Sequence, residues 1–173
     1  RENGQLTGRY RRFDPNNNPT YECFYVNDQL HGKEIEYHVN TNRPLRSQYY
    51  RYGRKNGKYE EYTLDGKIIN QKEYKNNILD GESLELYHAT LTKKHLVQYQ
   101  LGIKQGYEKV WTIDGKLIFY ATFEQGIKIG RCIARFPDNG QLERKCYYND
   151  NGQLDGYYKE FQYLNQKNCL STD

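Results

Sequence analysis

A chain of 173 residues that is 36% hydrophobic, with a mean hydropathy of −1.11, cannot fill the deep core of an ordinary globular domain. Nineteen tyrosines supply almost a third of that hydrophobic fraction, and a side chain with one wet end suits a thin packed layer. No run of 18 apolar residues is present, which excludes a membrane-spanning helix, and the net charge of +4 is too dispersed for a nucleic-acid-binding face.

The glycines divide the chain. Gly8, Gly32, Gly57, Gly81, Gly106, Gly130 and Gly156 are 24, 25, 24, 25, 24 and 26 residues apart. Gly4, Gly53, Gly102, Gly126 and Gly152 each lie four residues before one of these anchors. Asp28 and Asn77, which also tolerate a left-handed backbone, stand at that position in the other two units. Gly66, Gly115 and Gly140 follow an anchor by nine or ten residues. The spacing predicts one repeat array over residues 1–173, with seven units and the first truncated at its N-terminus.

Each unit reads as two short strands. The first two units join theirs by Asn/Pro loops, Asp14 to Pro19 and Asn40 to Pro44. In the third, a strand from Gly57 to Leu64 leads into Asp65-Gly66, a type I′ turn signal, and a second strand ends at Tyr74. Lys75 to Asp80 then lead to the next anchor. The fourth unit has no clear turn signal between Ala89 and Lys94, while Asp114-Gly115 and Asn139-Gly140 repeat the third unit's pattern. The fold class expected is all-β, an elongated array of about seven stacked antiparallel hairpins, with fourteen strands spanning about 65 Å at ~4.8 Å each.

Two aromatic ladders accompany the anchors. Phe13, Tyr37, Tyr62, Leu86, Trp111, Phe136 and Phe161 form the first; Tyr25, Tyr50, Tyr74, Tyr99, Phe123 and Tyr148 form the second. Stacked about 5 Å apart, both ladders are expected to make the thin core. Strand parity puts the third and fifth positions after an anchor on that face, with Ile35, Leu84 and Ile133. The second and fourth positions then form a Tyr/Glu stripe on the opposite, solvated face. Tyr10, Glu34, Glu36, Tyr59, Glu61, Glu85, Glu108, Tyr158 and Glu160 are its candidate partner-binding residues.

No chemistry beyond binding is legible. His31, His38, His88 and His95 have no ligand spacing, and Cys23, Cys132, Cys146 and Cys169 contain no C-x-x-C, so no metal site or cofactor is expected. Without a nucleophile elbow, Walker loop or metal helix, no catalytic residue and no enzyme activity are expected. A three-residue loop Asp138-Asn139-Gly140 would set Pro137 against Gln141 and hence Cys132 against Cys146. That pair is a candidate disulfide in an oxidising compartment and two free thiols in a reducing one. Cys23 and Cys169 fall in the first and last units, too far apart to bond.

The stretches Asn151-Gly152-Gln153-Leu154-Asp155-Gly156-Tyr157-Tyr158-Lys159-Glu160-Phe161 and Asn139-Gly140-Gln141-Leu142 resemble the variant (type 2) MORN repeats of bacterial antitoxin- and immunity-like proteins. The resemblance covers Arg1 to about Tyr163. It implies a MORN-type β-hairpin solenoid and a non-catalytic protein-binding module. Its function would be to neutralise a toxin or secreted effector by covering that partner's functional surface. A mildly basic chain is a poor mimic of nucleic acid, so a non-nuclease partner is expected. Eukaryotic MORN proteins imply the alternative, a membrane-surface or scaffold role, but basic residues that alternate with acids weigh against it. A chain without Met that opens on Arg1 within a repeat reads as trimmed or processed, which favours the bacterial periplasm over the cytoplasm.

Overall fold

All fifteen glycines have a positive φ. In the computed structural model, which describes residues 4–162, these left-handed sites punctuate an all-β chain. Its strands are β1 (Gly8–Phe13), β2 (Pro19–Val26), β3 (Gln29–Leu30), β4 (Gly32–Tyr37), β5 (Pro44–Arg51), β6 (Arg54–Tyr62), β7 (Ile68–Lys75) and β8 (Ile78–Leu79). They continue as β9 (Gly81–Leu86), β10 (Lys93–Gln100), β11 (Ile103–Trp111), β12 (Leu117–Glu124), β13 (Ile127–Arg135), β14 (Leu142–Tyr148) and β15 (Leu154–Glu160). All lie in one open antiparallel sheet in chain order, with the short β3 and β8 continuing into β4 and β9.

The turns are exchanged relative to the sequence reading. Asp65-Gly66 does not form a type I′ turn, since only Gly66 has positive φ. Instead Gly66 N–H donates to the Thr63 carbonyl and Thr63 N–H to that of Lys67, closing a three-residue loop with a left-handed glycine at its end. Thr112 to Lys116 repeat it, and Asp14 to Asn18 form the same loop with Asn17 left-handed rather than a longer one. The paired left-handed residues occur between units, at Asn27-Asp28, Tyr52-Gly53, Asn76-Asn77, Leu101-Gly102 and Gln125-Gly126. There Arg51 faces Arg54 and Lys75 faces Ile78 across two-residue turns. The segment Lys75 to Asp80 is therefore a tight hairpin, and the sheet runs on without linkers.

The anchors themselves sit at bulges. Tyr50 faces Lys55 and Gln48 faces Tyr59, so β6 carries two more residues than β5 over that stretch, Gly57 among them. Tyr74 against Leu79 and Gln71 against Leu84 show the same excess around Gly81. Such bulges bend a strand and increase its twist. Adjacent turns consequently meet. Gly53 N–H donates to the Leu30 carbonyl at 2.8 Å, Asn77 to Lys55 at 2.8 Å, Gly102 to Leu79 at 2.7 Å and Gly126 to Lys104 at 2.9 Å. Where Asp28 and Asn77 replace glycine, their side chains accept a second bond, from the amides of Leu6 and Lys55.

Parity holds, but the assignment of the core does not. The second ladder faces the anchors directly (Tyr25 against Gly8, Tyr50 against Gly32, Tyr74 against Gly57), which places it on the face of the second and fourth positions. The first ladder lies opposite, as Tyr62 shows by bonding Ser47 and Glu60. Because every repeat contributes two strands, equivalent positions are two strands apart, about 9–10 Å rather than 5 Å. The apolar cluster Ala121, Cys132 and Cys146, with Phe119, Phe123 and Tyr148 packed on it, belongs to the face expected to be solvated.

Cys132 does face Cys146, both buried and both free thiols. The register is reached by another route. The loop has four residues, with Phe136 N–H on the Gln141 carbonyl, and a bulge at Glu143 restores the count. Tyr87 to Thr92 close the fourth unit's loop in the same way, with Leu91 in the place of glycine. Cys169 lies outside the described residues.

Gly57 and Gly66 separate the two demands on glycine. At Gly57, with φ +112°, an added Cβ would come within 3.1 Å of the Tyr49 Cβ, whereas at Gly66, with φ +83°, it meets nothing. Gly57→Ala should cost about 2–3 kcal/mol and Gly66→Ala about 1 kcal/mol, read from urea unfolding midpoints.

Candidate functional site

The face shared by the second and fourth positions is built from both strands of each hairpin. Arg46, Gln48 and Tyr50 of β5 stand directly opposite Glu36, Glu34 and Gly32 of β4, and Arg46 and Gln48 also face Glu61 and Tyr59 of β6. Two-residue periodicity therefore puts all these side chains on one surface. Glu34, Glu36, Arg46, Gln48, Tyr50 and Tyr59 line a small cleft of about 100 Å³, together with Ser47 and Lys55.

Half of the glutamates in the expected acidic stripe are neutralised by ion pairs within the sheet. Glu36 pairs with Arg46 at 2.6 Å, Glu85 with Lys94 at 2.6 Å, and Glu108 with both Lys104 at 2.7 Å and His95 at 2.9 Å. The Glu108 carboxyl is held below its usual range: burial opposes this, but the hydrogen bonds from Lys104 and His95 outweigh it. Tyr59 donates to Glu61, and Tyr158 donates to Glu160 at 2.8 Å. Tyr10 stacks edge-on against Tyr21 and Tyr25 and remains exposed, as does Tyr158. All nine candidates share the face, yet what they present is a net of paired polar groups and not an acidic strip.

Three side chains on this face are less well served. Gln48 is 3% exposed, and its Nε2 donates to the Tyr49 carbonyl at 2.9 Å, which leaves Oε1 buried without a donor. Asn70 Oδ1, opposite Glu61 and Glu85, and Arg144 Nε, opposite Ala134 and Glu160, are buried and unpartnered too. Glu34 accepts a hydrogen bond from the Tyr21 hydroxyl at 2.6 Å but has no ion pair among the described residues. Burial and then the carboxylate of Glu34 push Tyr50 up to about 12; burial and then the bond to Glu61 do the same for Tyr59.

Gln48, Arg46, Tyr50 and Asn70 were not among the sequence candidates. They occupy second strands, where the column Cys23, Gln48, Lys72, Val97, Ala121 and Cys146 mixes residue classes and so gives no compositional signal. The second ladder, two residues farther along, was the available clue. Among the described residues no three His, Cys, Asp or Glu side chains gather as a metal site would require. No family model matches the chain, and no curated protein matches it.

Two measurements bear on this face. The native state keeps Tyr50 and Tyr59 protonated to about pH 12, while unfolded tyrosine ionises near 10. Their contribution to stability should be full below pH 10 and lost as pH rises towards 12, visible as phenolate absorbance that lags the free amino acid. The second measurement concerns the facing thiols. Non-reducing peptide mapping of protein held in an oxidising buffer should recover Cys132 linked to Cys146, and not either cysteine linked to Cys23.

Proposed function

We propose that this protein is a non-catalytic protein-binding module that neutralises a toxin or secreted effector by covering its functional surface. The observation that carries the reading is that Gln48 Oε1 of β5, Asn70 Oδ1 of β7 and Arg144 Nε of β14 are buried and unpartnered along a single tyrosine- and carboxylate-rich face. Each such atom costs about 1–3 kcal/mol while unsatisfied, and a partner with complementary donors and acceptors removes that cost on binding. Tyrosine beside paired charge gives the broad, rigid contact area found in protein-binding surfaces. The resemblance to MORN-type antitoxin and immunity proteins supplies the class of partner, and the diffuse charge favours one that is not a nuclease. The alternation of basic and acidic groups gives little purchase for an anionic membrane.

The test is capture of the product of the neighbouring gene, together with rescue of cells from that product's toxicity. A stable complex is expected. Glu61→Lys and Tyr158→Ala should each weaken it by about ten-fold while leaving the circular dichroism of the free protein unchanged. Absence of both a complex and a rescue would refute the reading, and sedimentation with anionic liposomes would replace it with the membrane-surface role.

A further inference from the structure

We propose that the cleft between β4, β5 and β6 is a receptor for a cationic side chain, so that the partner inserts a lysine or arginine against Glu34 and Gln48. The inference rests on the protein-binding reading above and deepens it by naming what the partner must present.

Four observations converge. First, the acceptor at the base of the cleft is fixed in orientation. Gln48 spends its amide nitrogen on the Tyr49 carbonyl at 2.9 Å, so the buried Oε1 can be satisfied only by an incoming donor. Second, the opposing glutamate is uncompensated. Glu34 stands directly across from Gln48 and receives only hydroxyl hydrogen bonds, which supply no positive charge. A carboxylate that is part-withdrawn from water and lacks a counter-charge attracts one strongly. Third, the positive groups already in the cleft are occupied. Arg46 is held by Glu36 at 2.6 Å, and the Lys55 ammonium lies over the Tyr74 ring, 5.1 Å from its centroid. Fourth, the wall includes the half-buried ring of Tyr50, whose π face favours a cation over a neutral group. Acceptor, carboxylate and ring together fit an ammonium or guanidinium and have no use for an anion.

The arrangement is not repeated at Glu108. Three units on, at the position of Glu34, Glu108 faces Val97 and Ala121 instead of a glutamine and already holds Lys104 and His95. The cleft thus differs from its counterpart at Glu108, which helps fix where along the array a partner's basic residue docks.

The experiment is a titration of the full chain, labelled with nitrogen-15, with n-butylammonium chloride, using n-butanol and sodium acetate as separate arms. Saturable shifts of the Gln48 side-chain amide and of the Tyr50 signals are expected with the ammonium alone. Glu34→Gln, which keeps an acceptor for Tyr21, should weaken the response by about ten-fold. Gln48→Leu should also weaken it, and Lys55→Met should leave it intact or strengthen it. Equal shifts with butanol, a preference for acetate, no saturable shift, or an unaltered response in Glu34→Gln would each overturn the proposal. The titration needs no partner, so its failure is separate from a failure to find a toxin.

Discussion

Left-handed backbone at the anchor positions is the constraint on which the sheet depends. A strand that carries two more residues than its neighbour must fold the excess into a bulge, and at Gly57 and Gly81 the required φ of +112° and +126° is hostile to any side chain. The bulge redirects the chain so that the amide of each tight turn reaches a carbonyl of the turn one unit back, at 2.7–2.9 Å for five successive turns. Turn amides that would otherwise face solvent are tied to the next unit, which links the repeats along the turn side of the sheet in addition to the strand pairing.

Two strands per repeat then set the spacing of side chains. Equivalent residues are too distant to touch, and the intervening second strand fills the gap. The buried column of Cys23, Gln48, Val97, Ala121 and Cys146 does so on one face, and Ser47 and Leu96 on the other. Where apolar filling is thin, lysines supply it. Lys55, Lys104 and Lys128 each precede an anchor by two residues and lie over Tyr74, Phe123 and Tyr148 at 5.1, 5.0 and 5.4 Å. A contact of this kind is worth about 0.5–1 kcal/mol when exposed. Repeated at the same offset, it lets a chain of low hydropathy cover its aromatic rings with the stems of charged residues.

The paired charges follow from the same register. Arg46 reaches Glu36 because it is the direct neighbour across the ladder, and Lys104 reaches Glu108 across the bulge that the anchor glycine creates. Glu34 is the exception in the second unit: it faces Gln48 and, unlike Glu108, has no lysine or histidine within ion-pair reach among the described residues. An amide at this position of the column, beside a glutamate with no ion pair, gives a cleft with an unmet acceptor and an unmet charge.

Much of the architecture was written in the sequence, because glycine spacing reports local backbone geometry and that geometry is independent of distant contacts. The repeat, the all-β class and the parity of the strands all follow from counting residues, whereas Cys132 faces Cys146 only because a bulge at Glu143 offsets a loop one residue longer than expected. Turn type was misread at Asp65-Gly66, where the same dipeptide serves two loop geometries and the hydrogen bond from Thr63 N–H to the Lys67 carbonyl closes the three-residue one. The buried face could not be read from the glutamates. Whether Glu36 and Glu108 are solvated or paired depends on Arg46, Lys104 and His95, which lie on neighbouring strands or beyond a bulge. Sequence thus determined where the backbone turns. Tertiary structure decided which polar groups found partners, because only the pairing of second strands against first brings Gln48 to Glu34, leaving Gln48 Oε1 without a donor and Glu34 without an ion pair.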